Sequence, residues 1–597
     1  MIGIRTRHFP LYVLVRVTRR RTPSPRSSQH FQRKESSTEK HKIRVSDAEN
    51  NLGRRTLCCL SIQISLFEFK NSKKNQKMFS KVCKTQMRDR TVGVVFRKDS
   101  KVCQGLTLVS CGRETYLLDI DGRVVNVWRS DRKVFSAYLC GDGTLIRDGN
   151  DRALTDRFGA GGGAGIVEAV TYENERIWSF KCRPSQQFLS HHDIEVMPNG
   201  NVLILVWERL DESTAIEAGR RPEMLPDKEL WNNVLLELKP NGKGGADVVW
   251  SFSFLEHTVQ DCDKTKMNYG DVSKTPHRVD INLCPVGGKA HQRGLNIFEG
   301  KEGKTGEKDW IHCNSVSYDR FHDRIALSMN VQSEIVIVDH SSAQRGIIWR
   351  FGNSQNYRQG DRFKQVLFNQ HAAQFVNQGR SLLCFNNGRK PDRWWSSVDE
   401  IAIRRTISST GDVIPLKNAS SGTLVPLFDA DLYDKCTKSN IHKNIPQRGR
   451  PVKTSYSRDW SSGAKDYYGE IVWSYGARRH QSGSFYITHM GSCQRLENGN
   501  TLIVTGPDGV IIEVTDEGEE VWRWVSPIVN ITDGESGAVS FIRQGDQRPA
   551  QVNVSIFQAW RYGENHFTDS FLESHPDLSL ALLGHGKGKL YYLEPYP

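Results

Sequence analysis

VIIEVTDEGEEVW, residues 510–522, carries the pattern that decides the fold: a short β-branched strand, an acidic residue near its end, a Glu-Gly turn, and a second strand closing on tryptophan. Short strands joined by tight turns of this kind form antiparallel hairpins. The same pattern recurs outward from it, in TYLLDIDGRVVNVW ending at Trp128, GIVEAVTYENERIW at Trp178, VLLELKPNGKGGADVVW at Trp250 and EIVIVDHSSAQRGIIW at Trp349. A split copy runs from SVDEIAI to GEIVW at Trp473. Six copies with little helical periodicity predict an all-β fold, a six-bladed β-propeller over residues 105–597, with insertions in the rim loops setting the uneven spacing. The tryptophans are expected to pack between blades.

After each tryptophan comes a loop and then the inner strand, which in four of the six units begins at or beside histidine. These are His192 in HHDIEVMPNGNVLIL, His312 in IHCNSVSYDRFHDRIALS, His371 in QHAAQFVNQGRSLLCF and His489 in THMGSCQRLENGNTLIV. Units stacked about one axis aim equivalent positions at one place, so the histidines are expected to line a shared central pocket. For any one of them alone, a structural hydrogen bond to backbone or aspartate is the competing account. Alternation makes His192 face the channel as a ligand contact, with His191 pointing away and Asp193 available to orient its neighbour.

The formal charge of +14 is unevenly spread: residues 1–100 hold 24 Lys+Arg against 7 Asp+Glu, and the remainder 58 against 61. A basic leader of low order, residues 1–100, thus precedes a nearly neutral body, which gives no sign of nucleic-acid binding. Met78 offers an alternative start within the leader. The cysteines lack zinc-site spacing and disulfide density, which makes most of them small buried hydrophobes. No run reaches the roughly eighteen apolar residues of a membrane span, and MIGIRTRHFPLYVLVRV is broken by arginine before it becomes an export signal.

FGAGGGAGIVEAV, from Phe158 to Val170, leads into strand sequence rather than a helix and reads as a tight loop between blades, not a phosphate cradle. GKEGKTGEK, from Gly300 to Lys308, lacks the first glycine of a Walker loop. His-Glu-x-x-His, Cys-x-x-Cys and Gly-x-Ser-x-Gly are all absent, so no metal site and no serine mechanism is expected. A quinone-dependent dehydrogenase would need acidic metal ligands, of which there is no cluster.

Taken together, DWIHCNSVSYDRFHDRIALSMNVQSEIVIVDHS, FNQHAAQF, FNNGRKPDRWWSSVDEI, RLENGNTLIVTGPDGVIIEVTDEGEEVWRW, HHDIEVMPNGNVLI and YLLDIDGRVVNVW resemble the arylsulfotransferase (ASST) family of bacterial propellers. The resemblance runs in order over about residues 105–590. It implies transfer of a sulfuryl group from an aryl sulfate to a phenol through a sulfated histidine, with no nucleotide sulfate donor and no cofactor. It also implies a homodimer and an exported or periplasmic location, a cytoplasmic one being the alternative where no signal is found.

The histidine of the family's D-W-x-H-x-N-S motif is matched by His312, that of Q-H-x-A by His371, and the arginine after F-x-N-G by Arg389. The family's nucleophilic histidine lies in a loop that here reads TGPDGV, Thr505–Val510, without histidine. His489 is the substitute candidate, although an inner strand of some eight residues would displace it by roughly 25 Å. His312 and His371 are assigned acid–base and oxygen-binding roles, and Arg389 is the guanidinium clamp on sulfuryl oxygens. Asn314, two residues from His312, is expected on the same side, fixing an imidazole or a sulfate oxygen unless a loop hydrogen bond takes it. The competing function is a non-catalytic propeller that binds an anionic or aromatic ligand in the same channel.

Overall fold

The computed structural model describes residues 90–584 other than 157, 159–160, 183–186, 284–307, 342–345, 361–363, 391, 408–412, 416–467, 477–484, 531–538 and 547–552. Residues 1–89, with most of the basic leader and Met78, lie outside the described residues. Six antiparallel sheets make the six blades. Blade I pairs Ala559–Tyr562, Leu106–Cys111, Glu114–Leu118 and Val124–Arg129, and blade II pairs Ala137–Leu139, Leu145–Asn150, Gly165–Val170 and Arg176–Lys181. Blade III holds Phe188–Val196, Val202–Asp211, Glu229–Pro240 and Ala246–Ser253; blade IV holds Cys313–Asp319, Arg324–Met329, Glu334–Asp339 and Ile347–Phe351. Blade V joins His371–Val376, Ser381–Asn386 and Ser397–Ile403 to Gly469–Gly476, which is the split copy read in the sequence. Blade VI contains Ser492–Arg495, Thr501–Thr505, Val510–Val514 and Glu520–Val525.

Apolar runs such as VLILVW, residues 202–207, are buried on both faces because successive side chains serve different neighbours. Val202, Ile204 and Val206 pack toward blade II, and Leu203 and Leu205 toward blade IV. Equivalent cores fill every other junction, including that between blades VI and I.

Five of the six repeat tryptophans sit on the outermost strands of their blades, and Trp522 sits on the fourth strand of blade VI. Four of them clasp the following blade through the indole N–H: Trp128 to the Thr171 carbonyl (2.9 Å), Trp349 to Tyr468 (3.1 Å), Trp473 to Asp516 (2.7 Å) and Trp522 to Ile120 (3.1 Å). The repeat thus encodes both the hairpin and its junction.

Ring closure uses both ends of the described chain. Ala559–Tyr562 supplies the inner strand of blade I, and Arg561, itself buried, pairs with Glu513 of blade VI and donates to Thr107 Oγ1 at 3.1 Å. Gly93–Arg97 pairs with Glu520–Val525 as a fifth strand of blade VI. That strand falls inside the stretch read as leader, so the propeller begins earlier than residue 105; its apolar run, Val94–Phe96, is only three residues long and lies among basic ones. Among the described residues no helix is long and apolar enough to cross a membrane.

Candidate functional site: a histidine cluster at the channel mouth

The inner strands of blades III, IV and V each lose register near their first residues, between Ser190 and Ile194, Cys313 and Val316, and His371 and Gln374. Extra residues at such a break bend a strand and re-aim its side chains. His192 (φ 57°) and Ala372 (φ 52°) within these breaks, His312 (φ 51°) just before one, and Met490 (φ 62°) before the inner strand of blade VI all take the left-handed conformation. This conformation is uncommon for residues other than glycine and concentrates at functional sites.

The histidines do not hold one equivalent position. His192 lies two residues before the restored pair at Ile194, His371 three before Gln374, and His312 four before Val316. The breaks nevertheless bring the rings together, with His192 and His312 centroids 4.5 Å apart and edge-on. His371 is close enough to feel both His312 and His489 electrostatically.

The histidine at position 191 corrects the alternation argument. His191 does not point away: positive φ at His192 turns both rings inward, Nδ1 to Nδ1 at 2.9 Å, and His191 stacks on Trp207 at 4.0 Å. Asp193 does not orient His192 either. Its carboxylate accepts from Tyr138 OH (2.9 Å), Ser136 Oγ (3.1 Å) and the backbone N–H of Ile194 (3.0 Å) and Val316 (3.1 Å), and burial raises it to about 6. The other side of His192 rests on Gly162, where any Cβ would lie 2.3 Å from the imidazole Nε2. Gly162 thus leaves open the space that this ring fills.

His312 Nδ1 faces the Asp309 carboxylate at hydrogen-bond distance, and the other Asp309 oxygen is buried with no hydrogen-bond partner among the described residues. Asn314 does not reach an imidazole. Its amide donates to the Gln370 carbonyl (2.9 Å), joined there by Asn330 Nδ2 (3.1 Å) and Ser328 Oγ (3.3 Å), so it anchors the peptide just before His371. His371 Nδ1 donates to Asn387 Oδ1 at 2.7 Å, which leaves Nε2 as the lone-pair nitrogen, met by the Met490 N–H at 3.3 Å. Asn387 in turn donates to the carbonyls of Ile487 (3.0 Å) and Met490 (2.7 Å), tying the loop of blade V to the entry of blade VI.

His489 belongs at this same end. The loop from Thr505 follows the second strand of blade VI, not its inner strand, and a Cβ on Gly506 would lie 2.7 Å from that of Met490. The displacement expected along the inner strand therefore does not arise. The Nδ1 of His489 is 2.8 Å from Thr488 Oγ1, and Nε2 has no hydrogen bond among the described residues. Arg389, two residues beyond Asn387, leans over Phe368 and contacts Asp392 through Nη2 (3.2 Å), while its buried Nε has no hydrogen-bond partner among the described residues.

Burial sets the protonation states. It drives His191 and His192 well below the ordinary imidazole value, lowers His371 to about 3, and lowers the less buried His489 as well. These rings are neutral near pH 7, which is the form a nucleophile or acceptor requires. Asp309 and Asn387 were not singled out by sequence reading, although both stand in the quoted motifs, DWIH and FNNGR.

The family model for arylsulfotransferase (ASST) matches residues 92–401. The chain belongs to the arylsulfotransferase family. The matched span holds His192, His312, His371 and Arg389 and ends before His489. No curated protein matches the chain. Among solved structures, this arylsulfotransferase-family propeller is similar to a protein of unknown function from Bacteroides caccae, at 9% identity, covering 74% of this chain and 100% of that one, with a TM-score of 0.33. It is also similar to a functionally unknown protein from Desulfotomaculum acetoxidans (9%, covering 73% and 99%, TM-score 0.32) and to virginiamycin B lyase from Staphylococcus aureus (9%, covering 74% and 86%, TM-score 0.28).

Proposed function

We propose that the chain moves a sulfuryl group from an aryl sulfate to a phenolic acceptor through a histidine at the channel mouth. The observation that supports this reading is the approach of the His192 and His312 rings, with His371 and His489 close by, at the starts of neighbouring inner strands. His489 is the nucleophile: its Nε2 lone pair attacks sulfur, the N–S bond forms, and the S–O bond to the aryl group breaks with its electron pair leaving on the phenolate oxygen. His312, its Nδ1 oriented by Asp309, delivers a proton to that oxygen from Nε2 and releases a phenol. In the second half the acceptor phenol gives its proton to the now neutral His312 and attacks sulfur, the N–S bond breaks, and His489 is restored.

His371 stays neutral and, with Nδ1 on Asn387 and its Nε2 lone pair on the Met490 N–H, positions the entry of blade VI that carries His489. Arg389 holds sulfuryl oxygens, on which negative charge spreads in the transition state as it does in phosphoryl transfer. Asn314 supports His371 by fixing the Gln370 peptide. A non-catalytic propeller that binds an anionic or aromatic ligand is the second reading, favoured by the loop Thr505–Val510 having no histidine.

Incubation with p-nitrophenyl sulfate and phenol separates the two. Transfer predicts phenol-dependent release of p-nitrophenol, reduced at least about 100-fold in His312→Ala and Arg389→Ala. Absence of acceptor-dependent release from the intact protein favours the binding module.

A further inference from the structure

The sequence GRKPDRWW beyond Asn387 does more than deliver Arg389. Lys390 places its ammonium 4.7 Å from the ring centroid of Trp394 and 4.7 Å from that of Tyr486. Trp394 is 50% exposed, whereas four of the six repeat tryptophans are buried and the other two half-buried. The arrangement is fastened from below. The Tyr486 hydroxyl takes a backbone hydrogen bond from Lys390, Ser396 N–H donates to the Phe485 carbonyl (2.8 Å), and Ile487 N–H donates to Ser396 Oγ (2.8 Å). Ser396 Oγ also donates to the carbonyl of Asn387 (2.6 Å), the residue that holds His371. A fixed pair of aromatic rings with a cation between them therefore stands on the loop that frames the histidine cluster.

Two properties of this group point to one ligand class. An exposed indole face and a phenol ring favour another aromatic ring, and an ammonium next to Arg389 favours a monoanion. A neutral phenol satisfies only the first, and inorganic sulfate only the second. We propose that Lys390, Trp394 and Tyr486 form the platform that receives the aryl sulfate donor, its ring against Trp394 and its charged end toward Lys390, before the ester reaches the histidines. This rests on the reading of the site as a sulfuryl-transfer centre, and it assigns the specificity for aryl over alkyl esters to this loop.

Benzenesulfonate tests the platform without turnover, because its sulfur is bonded to carbon and cannot be transferred. Calorimetric titration of the full chain is expected to show benzenesulfonate binding that weakens about tenfold in Trp394→Ala, recovers to within about threefold in Trp394→Phe, and weakens in Lys390→Met, with methanesulfonate indifferent to the Trp394 change. In turnover, Trp394→Ala should raise KM for p-nitrophenyl sulfate by a similar factor while kcat and the KM for phenol hold. Benzenesulfonate binding to Trp394→Ala equal to that of the parent overturns the platform, whatever the transfer assay shows. Loss of that binding without any transfer activity supports the platform as an aryl-anion site and removes the catalytic reading instead.

Discussion

Replacing Asp309 by asparagine keeps the size of the side chain and removes the charge that faces His312. Asp309 is 8% exposed, so solvent compensates poorly for the lost carboxylate. A hydrogen bond to a charged group is worth about 1.5–3 kcal/mol, and each ~1.4 kcal/mol corresponds to a tenfold rate change. If the carboxylate acts when His312 carries the proton, kcat should fall about 10- to 150-fold. Donor KM should change little, because Asp309 touches the imidazole and not the ester. A second effect has the same sign, since an amide can donate to Nδ1 and move the ring proton to Nε2, the tautomer that cannot accept from the incoming phenol. The assay is steady-state release of p-nitrophenol at saturating phenol, with thermal midpoints measured beside it. A kcat within twofold of the parent, or a loss confined to KM, would refute the role given to this pair.

Gly162→Ala should abolish transfer and lower the thermal midpoint, because the new Cβ would lie 2.3 Å from His192 Nε2 at a backbone φ of +85°. Gly161→Ala is the matched control, with nothing within 4 Å of its Cβ; equal behaviour of the two variants would dismiss the fit of the loop to His192. Asp148 is buried, and burial lifts its carboxyl to about 8, so the folded chain retains a proton that the unfolded chain releases from about pH 4 upward. Stability linked to this group is therefore present below pH 4 and is lost as pH rises through 8. Asp148→Asn should flatten the fall in thermal midpoint between pH 5 and 8.5, with Glu195, also lifted to about 8, and Asp193 and Asp119, lifted to about 6, supplying the slope that remains. Parallel curves for parent and variant would contradict it. On the acid side the lowered value of His371 acts in the opposite sense, its stability present above the ordinary imidazole range and lost as pH falls toward 3.

The blades were legible because the signal is local. A tryptophan closing an outer strand and clasping the next turn is written within some fifteen residues, and even the insertion inside blade V left its two halves recognisable. The approach of the histidines was legible from the repeat, but their geometry was not. Period-two alternation assumes extended backbone, and positive φ at His192 and His312 breaks it, which is why His191 turned inward and Asn314 turned to Gln370. His489 was placed at the wrong end because Thr505–Val510 was taken for the loop after the inner strand. In an antiparallel pair, the start of one strand and the end of its partner share an edge. The outer strand Gly93–Arg97 is not legible because a run of three apolar residues carries little weight beside basic ones.

The most direct measurement is the mass of the intact protein after exposure to p-nitrophenyl sulfate with no acceptor, followed by mapping of the modified peptide. The account predicts one added sulfuryl group, carried by the peptide that contains His489 and discharged on addition of phenol. An unmodified protein that still turns over, or a sulfuryl group on a residue outside the cluster of His192, His312, His371 and His489, would contradict it.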